Sequence, residues 1–412
     1  MLMKQSNILL NFFAIFLFYA NNSAKSRLQD RQERVDIDGR FSRNTLKAAE
    51  AKPTIPKCHW SRFMELPLKV QQGAQSAVTM LVDNFNQEPV IKKVYTDSRD
   101  FINELKALTN LRVNHSPLLV YPLCVDAMKK ILVLEWGGDG DLTRWDLFRD
   151  QSVRYTYPDV VKIAAQIVGA VAASHRLGIL HGDIKPENFV IDLKKKTTKL
   201  IDFGLSAQIG DYRVMTQGTP VTMAPEVAFL DYYTNRMMYG PGGPANEAEL
   251  KKFGNQPQRI REAMDWWSVG VTIHYLFAKF FEDEERRIRI EAENSDSGSE
   301  TFTTSAYDTT TGSDTPKLIV ENAESDDHYF PYKIVWTKDN RDILDFKYRP
   351  VPAAFPPALK NLLTKLMAWE PEDRNFRGET LTNQILKHEF FKNINWDDID
   401  SSIFEPESEE YE

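Results

Sequence analysis

The spacing of hydrophobic positions predicts a chain in which short strands precede long buried helices. Residues 90–94 form a β-branched run interrupted by lysines, which is the pattern of a strand. Residues 101–108 alternate apolar and polar side chains with a helical period. The same period recurs over 160–177, and residues 264–281 are apolar almost all round. Helices of the last kind are usually buried, so we expect these two segments to form the core of a large lobe.

Three stretches outside these elements have the composition of insertions or tails. Residues 231–261 contain the glycine- and proline-rich run 239–244, which predicts an inserted loop. Residues 282–329 are rich in Glu, Asp, Ser and Thr and have almost no apolar clusters, which predicts a disordered acidic insertion. Residues 396–412 are also acidic, and we expect them to form a solvated tail.

The N-terminus has the pattern of a targeting segment. An apolar run from Ile8 to Ala20 is short for a bilayer span, and small polar residues follow it up to Ala24. This predicts a secretory signal over 1–24, with an uncleaved signal anchor and a buried helix as alternatives. Residues 25–57 carry several arginines and predict a solvated extension or an amphipathic helix that touches a membrane.

Composition narrows the class of protein. The 412 residues are 42% hydrophobic and 27% charged, which suits a globular chain with one large core or two lobes sharing a cleft. The net charge of −8 argues against non-specific binding of nucleic acid. The two cysteines, Cys58 and Cys124, could pair in an oxidising compartment, and two unpaired core thiols are an equal alternative.

One motif carries chemistry. Residues 181–188 read His-Gly-Asp-Ile-Lys-Pro-Glu-Asn, and Asp202 begins an Asp-Phe-Gly sequence. Two acidic groups and an amide at this spacing suit phosphoryl transfer from a metal nucleotide. Asp183 would orient a hydroxyl group, while Asn188 and Asp202 would hold Mg²⁺.

These motifs resemble the catalytic core of eukaryotic protein kinases over about residues 60–395. The resemblance implies an α+β, bilobal fold with a small β-rich N-lobe and a larger, mainly helical C-lobe, in a domain over 58–395. It also implies ATP and Mg²⁺ as cofactors and a protein as substrate, and we expect a monomer.

In the small lobe, the resemblance assigns phosphate-binding residues. Lys92 matches the lysine of the family's V-A-I-K strand, with Lys93 as its competitor, and Glu104 would pair with this lysine. Gly73 is the one glycine retained from the glycine-rich loop, and Val78 follows it on the next strand.

The resemblance also places the adenine and ribose contacts. The strand 131–134 leads into Glu135 and Gly137, which would lie along the hinge that binds the adenine edge. Asp141 could reach the ribose.

Around the reacting groups, Lys185 would stabilise the transferred phosphoryl group and resembles serine/threonine rather than tyrosine kinases. Thr219, within Gly-Thr-Pro, would bond both Asp183 and Lys185. The sequence Ala224 to Glu226 follows, and together these features resemble a platform for a protein substrate.

Three further residues resemble structural parts of the family. Glu226 and Arg374 correspond to a buried ion pair, and Asp265 to the helix aspartate that braces the catalytic loop. Gly182 replaces the arginine that usually meets a phosphorylated activation-segment residue. We therefore expect activity that does not depend strongly on phosphorylation at a site such as Thr216.

The leading hypothesis is a secreted serine/threonine protein kinase. The signal, the arginine-bearing extension, Gly182 and the degraded glycine loop are similar to the rhoptry-type secreted kinases of intracellular parasites. This implies delivery through a rhoptry-like organelle into a host cell, with host proteins as substrates. A secreted pseudokinase that binds nucleotide or a partner as a scaffold is the alternative, although Lys92, Asp183, Asn188 and Asp202 are all retained.

Overall fold

The computed structural model of the chain forms two compact units. It describes residues 55–72, 76–112, 116–144, 155–209, 218–228, 258–296, 329–336, 344–371, 373–374 and 381–400. The small unit includes the described residues up to Arg112 and Val120–Trp136, and the large unit includes Ser116–Leu119 and the chain from Gly137 onward. The first is rich in strands and the second is mainly helical, which confirms the predicted α+β class.

Several predicted features lie outside the described residues. They are the signal over 1–24, the extension from 25 to 54, Gly73, Thr216, the inserted loop as far as residue 257, and the tail from 401 to 412. Among the helices that are described, none is long and apolar enough to cross a membrane.

The small unit is built on an antiparallel sheet of five strands in the order β1-β2-β3-β5-β4. Its elements are β1 (Phe63–Gln72), β2 (Ser76–Asp83), β3 (Pro89–Tyr95), α1 (Ser98–Leu111), β4 (Pro122–Asp126) and β5 (Ile131–Glu135). The predicted strand and helix at 90–94 and 101–108 are therefore confirmed. Helix α1 begins after Asp97, whose carboxylate accepts a hydrogen bond from the Arg99 amide at 2.6 Å. This satisfies one of the amides that the first turn of a helix leaves free.

A disulfide joins the segment before β1 to strand β4. Cys58 and Cys124 form this disulfide, and both residues are buried. Of the two alternatives that the sequence left open, paired or unpaired cysteines, the structure therefore has the paired one. The Cys58 amide donates to the Val125 carbonyl at 3.0 Å, and the Val125 amide donates to the Pro56 carbonyl at 2.8 Å. The cysteines are 66 residues apart in sequence. Closing a loop of that length stabilises the fold by roughly 4 kcal/mol in the chain-entropy model.

The large unit combines helices with short strand pairs. Its elements are β6 (Gly140–Asp141), α2 (Tyr157–Arg176), β7 (Ile179–Leu180), β8 (Phe189–Asp192), β9 (Thr197–Leu200), β10 (Ala207–Gln208), α3 (Gln258–Asp296), β11 (Tyr332–Trp336), β12 (Leu344–Tyr348), α4 (Pro357–Leu366), α5 (Leu381–Leu386) and α6 (Asp397–Asp400). Strands β6, β8 and β9 form a three-stranded sheet, and β7 pairs with β10. Strands β11 and β12 form a separate antiparallel ribbon.

Helices α2 and α3 form the core of the large unit, as predicted. Nearly all of α2 from Val160 onward is buried, and Trp266 and Trp267 of α3 are fully buried. At Gly270, a Cβ atom would lie 2.8 Å from Cγ of Met367, on the residue that follows α4. The close packing of α3 on this region therefore requires glycine at position 270.

The acidic insertion begins later than predicted. Disorder was expected from residue 282, but α3 continues to Asp296 and is 39 residues long, so it extends about 58 Å. In this part Arg286 pairs with Glu282 at 3.2 Å, and Arg287 lies 3.8 Å from Glu291. Such pairs one helical turn apart stabilise an exposed helix. The prediction of disorder is wrong for 282–296, and residues 297–328 lie outside the described part of the chain.

The compact fold also ends later than predicted. A solvated tail was expected from residue 396, but Trp396 is buried and its indole N–H donates to the Leu386 carbonyl at 3.1 Å. In α6, Ile399 and Asp400 are buried, and the Asp400 carboxylate accepts a hydrogen bond from Ser116. The prediction of a tail is therefore wrong for 396–400, because the apolar side chains of Trp396 and Ile399 are buried in the fold.

His274 of α3 is a buried titratable group. Its Nδ1 lies 2.9 Å from the Tyr329 carbonyl, which can only accept, so Nδ1 carries a proton. Its ring meets that of Phe355 edge-on at 5.2 Å. Burial lowers the pKa of His274 to about 4, with a further decrease from Arg349 against the opposing hydrogen bond.

We predict that His274 makes the fold sensitive to acid. Below its ordinary pKa the unfolded chain binds a proton at this residue while the native protein does not. The free energy of unfolding should therefore fall by about 1.4 kcal/mol for each unit by which the pH is lowered from about 6.5 to about 4. Urea unfolding at several pH values should show a flatter pH dependence for His274→Asn. The exposed residue His59 provides the control, and equal slopes for wild type, His274→Asn and His59→Asn would contradict the prediction.

Candidate active site

The loop between β7 and β8 is held by a buried carboxylate from α3. Asp265 accepts hydrogen bonds from the amides of His181 at 2.8 Å and Gly182 at 2.9 Å. Its Oδ2 also lies 2.8 Å from Nε2 of His175 on α2. Burial alone would raise the pKa of Asp265, but the contact with His175 and these hydrogen bonds hold it below its ordinary value. The predicted bracing role of Asp265 agrees with this geometry.

Two glycines allow the loop to approach the segment Gly218–Met223, which we call the platform. Gly182 has φ of 79°, a value that costs free energy for other residues. Gly218 has φ of 154°, and a Cβ atom there would lie 3.2 Å from the Gly182 carbonyl oxygen. Glycine at 182 thus replaces the family's arginine at a position where its conformational freedom is used.

Asp183 lies at the centre of a closed set of hydrogen bonds. Its Oδ1 accepts from the amide of Thr219 at 2.9 Å and from the Thr219 hydroxyl at 2.8 Å. Nζ of Lys185 lies 2.7 Å from Asp183 Oδ2 and 2.8 Å from the Thr219 hydroxyl oxygen. The prediction that Thr219 bonds both residues is confirmed. The side-chain amide nitrogen of Asn188 donates to the Asp183 carbonyl at 2.7 Å and so fixes the turn between them.

The candidate metal ligands lie at neighbouring ends of paired strands. Asn188 immediately precedes β8, Asp202 follows β9 by two residues, and the Ile201 amide donates to the Asn188 carbonyl at 2.9 Å. Asp202 has φ of 63°, which is uncommon outside glycine and often marks a functional position. Its Oδ1 accepts from the Gly204 amide at 3.3 Å.

These two side chains fit the chemistry of Mg²⁺. An amide oxygen and a carboxylate are hard oxygen donors, and Mg²⁺ is commonly bound by few protein ligands together with substrate phosphates and water. An amide and a carboxylate of this kind suit a Mg²⁺ ion that also binds the phosphates of a nucleotide. No group of three or more His, Cys, Asp and Glu side chains that could hold a metal is found among the described residues.

His181 and Phe203 connect the two halves of this region. The ring of Phe203, which is fully buried, meets that of His181 edge-on at 4.8 Å. Nε2 of His181 lies 3.0 Å from the Ile201 carbonyl. The loop between β7 and β8 and the segment that carries Asp202 are therefore fixed to each other by a ring contact and a hydrogen bond.

The predicted adenine and ribose residues are divided between the two units. In the small unit, Glu135 ends β5 and its carboxylate accepts from the Tyr121 amide at 2.9 Å. In the large unit, Gly137 passes so close to β8 that a Cβ atom would lie 2.4 Å from Cγ2 of Val190. Asp141 of β6 binds the amide of Thr143 at 2.9 Å through its carboxylate.

In the small unit, the lysine that pairs with Glu104 is Lys93 and not Lys92. Nζ of Lys93 lies 2.7 Å from Oε2 of Glu104, and both side chains are buried. Tyr95 donates to the same oxygen at 2.5 Å. Lys92 instead pairs with Glu65, which is exposed. The predicted pairing of Lys92 with Glu104 is therefore wrong.

The reason lies in the two-residue period of a strand. Neighbours on β3 face opposite sides of the sheet, so only one of the two lysines can face α1. Tyr95 is buried, and Lys93 shares its side of the strand because it is two residues away. Val78 lies opposite Lys93 in the β2–β3 register. The aromatic residue at 95 was the signal that could have selected Lys93 from the sequence.

The pair Glu226–Arg374 is also present. Arg374 is fully buried, and its two terminal nitrogens bind the carboxylate of Glu226 at 2.7 and 2.9 Å. The guanidinium group lies 4.8 Å from the centre of the Trp267 ring. This agrees with the predicted structural role, because a buried arginine requires both charge pairing and hydrogen bonds.

Comparison with known proteins identifies the family. A model of the protein kinase domain matches residues 68–391, well over half of the chain. The chain therefore belongs to the protein kinase family, and the expected relation to eukaryotic serine/threonine protein kinases is confirmed at that level.

Individual relatives are similar over part of their length. A probable myosin light chain kinase from Dictyostelium discoideum is 26% identical over 235 residues, which are 54% of this chain and 66% of that protein. Calcium-dependent protein kinase 1 from Arabidopsis thaliana is 28% identical over 232 residues, which are 53% of this chain and 33% of that protein. Maternal embryonic leucine zipper kinase from Xenopus laevis is 39% identical over 44% of this chain and 24% of its own. The chain thus spans less than two thirds of these relatives.

A solved structure of the Cydia pomonella granulovirus kinase PK-1 also aligns with this chain. The alignment has a TM-score of 0.49 and 19% identity, and it covers 80% of this chain and 94% of that one.

We predict that the two adjacent lysines of β3 differ sharply in their effect on stability. Lys93→Met leaves Glu104 buried without this partner and should lower the free energy of unfolding by about 3–5 kcal/mol. Lys92→Met is the matched control, and its loss should cost no more than about 1 kcal/mol because the partner, Glu65, is exposed. Denaturant unfolding of both variants tests this, and a larger effect at Lys92 would reverse the assignment.

Proposed function

We propose that the chain is a serine/threonine protein kinase that transfers the γ-phosphoryl group of ATP to protein hydroxyl groups and requires Mg²⁺. The observation that carries this proposal is the set of hydrogen bonds among Asp183, Lys185 and Thr219. A lysine two residues after the catalytic aspartate, bonded to a platform threonine, resembles serine/threonine kinases. Membership of the protein kinase family supports the reaction class.

In this mechanism Asp183 orients the acceptor. The hydroxyl oxygen of a serine or threonine forms a bond to the γ-phosphorus as the bond to the β-phosphate oxygen breaks, and ADP leaves. The hydroxyl proton passes to the Asp183 carboxylate. Phosphoryl transfer of this kind depends mainly on position and charge, so the fixed geometry of Asp183 matters more than its basicity.

Lys185 and Lys93 supply positive charge in their respective units. Lys185, 2.7 Å from Asp183, would neutralise charge on the transferred phosphoryl group. Lys93 would bind the non-transferred phosphates while Glu104 fixes its position. Lys93 thus takes the role that the sequence assigned to Lys92.

Asn188 and Asp202 would hold Mg²⁺ through their side-chain oxygens. Bound Mg²⁺ would offset the negative charge of the nucleotide phosphates. The left-handed conformation of Asp202 sets where its carboxylate lies, because the residue is bonded to the Gly204 amide on one side and follows the paired strand β9 on the other.

The test is transfer of labelled phosphate from ATP with Mg²⁺ to a peptide library that contains Ser, Thr and Tyr. Asp202→Asn keeps the size of the side chain and its tolerance for positive φ but removes the charge. We expect it to lower transfer to Ser and Thr by about 10²-fold or more. Asp192→Asn, at the far end of β8, is the matched control and should retain activity.

Three results would contradict the proposal. Transfer that persists in Asp202→Asn would remove the assigned metal ligand, and transfer to Tyr alone would remove the serine/threonine assignment. A folded wild-type protein that binds ATP without any transfer would favour a pseudokinase scaffold.

We also propose that the protein passes through a secretory route. The apolar run at Ile8–Ala20 and the disulfide between Cys58 and Cys124 support this, because such bonds persist mainly in oxidising compartments. A rhoptry-like organelle, a host-cell destination and membrane contact by residues 25–57 remain predictions from the sequence alone.

The secretory proposal predicts two covalent features. Protein expressed with its own N-terminus in a secretory cell should begin near residue 25, and peptide mapping should recover Cys58 linked to Cys124. Thermal unfolding with a reductant should lower the melting temperature of this protein but not that of a Cys58→Ser, Cys124→Ser double variant. Retention in the cytosol with free thiols would contradict the proposal.

A further inference from the structure

We propose that Tyr332 is a positioning residue of the platform and that its hydroxyl group helps to set the affinity for the protein acceptor. Tyr332 begins the ribbon β11–β12, for which the sequence predicted no element. This inference rests on the proposed kinase activity and adds a residue that controls how the acceptor is held.

The platform is bound to the catalytic aspartate at one end. Thr219 donates to Asp183 through both its amide and its hydroxyl group. The carbonyl of Thr219 accepts from the Met223 amide at 3.1 Å and from the Thr222 hydroxyl at 3.2 Å. Residues 219–223 therefore form one tight turn, and movement at its far end is transmitted to the group that contacts Asp183.

Two side chains from different elements hold the far end of this turn. Ser268 of α3 donates to the Thr222 carbonyl at 2.7 Å. Tyr332 of the ribbon donates to the next carbonyl, that of Met223, at 3.3 Å. Consecutive carbonyl groups are thus fixed by a helix and by the ribbon, so the turn cannot rotate without breaking one of these bonds.

The hydroxyl group of Tyr332 is itself held in place. It accepts from the indole N–H of Trp267 at 2.8 Å, and the two rings lie 5.8 Å apart. Tyr332 is fully buried, and burial raises its pKa far above the ordinary value for tyrosine. The hydroxyl therefore stays protonated at physiological pH and remains a donor to Met223.

The ribbon is thus connected to the reacting groups through Tyr332, Met223, Thr219 and Asp183 in order. A change at Tyr332 acts on the platform, where a protein acceptor would lie beside Asp183. We therefore expect Tyr332 to affect the KM for the acceptor and not the KM for ATP.

The test compares Tyr332→Phe with Tyr348→Phe. The first change removes only the hydroxyl group. Tyr348 pairs with Tyr332 across the ribbon with rings 5.7 Å apart, but it is half-exposed, so it provides a matched control. We expect Tyr332→Phe to raise the KM for the acceptor peptide about five- to tenfold, as for loss of the one hydrogen bond that this hydroxyl group donates to the platform. The KM for ATP should stay within about twofold, and Tyr348→Phe should match the wild type.

Two further measurements separate positioning from a general loss of folded protein. Hydrogen exchange should become faster at the amides of Thr222 and Met223 in Tyr332→Phe. Replacement of Tyr332 by 4-aminophenylalanine restores a donor at the same place and should return the acceptor KM towards the wild-type value. A purely structural role would lower the active fraction, and with it kcat, and leave both KM values unchanged.

The outcomes distinguish this inference from the proposed function. An active wild-type protein whose acceptor KM is the same in Tyr332→Phe overturns the inference alone, even if hydrogen exchange changes. A folded wild-type protein without any phosphate transfer overturns the proposed function and the inference with it.

Discussion

The buried carboxylate of Asp265 is the interaction on which the rest of the large unit depends. Its two oxygens accept hydrogen bonds from two backbone amides of the loop between β7 and β8, and one of these oxygens also contacts the ring of His175. Because the carboxylate is fully buried, its ionised form is stable only while these donors stay in place. The conformation of this loop and the ionisation of Asp265 are therefore coupled, so that a change in one alters the other.

The same helix carries a second constraint two residues further on. The ring of Trp267 contacts the guanidinium group of Arg374, and its indole N–H donates to the hydroxyl group of Tyr332. Arg374 is bound to Glu226, close in sequence to the platform, and Tyr332 is bound to the platform itself. Helix α3 thus holds the loop between β7 and β8 through Asp265, and it holds the platform through Trp267 and the Tyr332 hydroxyl group. Asp265 and Trp267 are separated by about 3 Å along the helix axis.

The sequence was most informative where chemistry restricts the choice of residue. The segment 181–188 and Asp202 could be assigned because few residue types suit metal binding and phosphoryl transfer, and a contiguous motif carries its own spacing. Thr219 was placed by resemblance to serine/threonine kinases, and its hydrogen bonds to Asp183 and Lys185 are present. The core helices were predictable from the helical spacing of apolar residues over 160–177 and from the almost uniformly apolar run 264–281.

The missed features depend on contacts between distant parts of the chain. The choice between Lys92 and Lys93 required the face of β3, which Tyr95 determines by its burial. The disulfide required the pairing of residues 56–58 with β4, and both outcomes were open from the sequence. The end of α3 required a balance of charges along an exposed helix, and composition alone predicted disorder there. Tyr332 could not be recognised, because its partners are a carbonyl group and an indole that no local pattern connects.

The length of α3 also affects how the protein can change in evolution or engineering. The chain leaves this helix at Asp296 and rejoins the described fold at Tyr329, whose hydroxyl binds Glu282 at 3.0 Å. Asp296, where the helix ends, lies about 46 Å along the helix axis from Asp265, the residue that holds the loop between β7 and β8. A change of sequence just after Asp296 would therefore begin far from the loop amides that the Asp265 carboxylate holds, which makes this position a natural one for engineering.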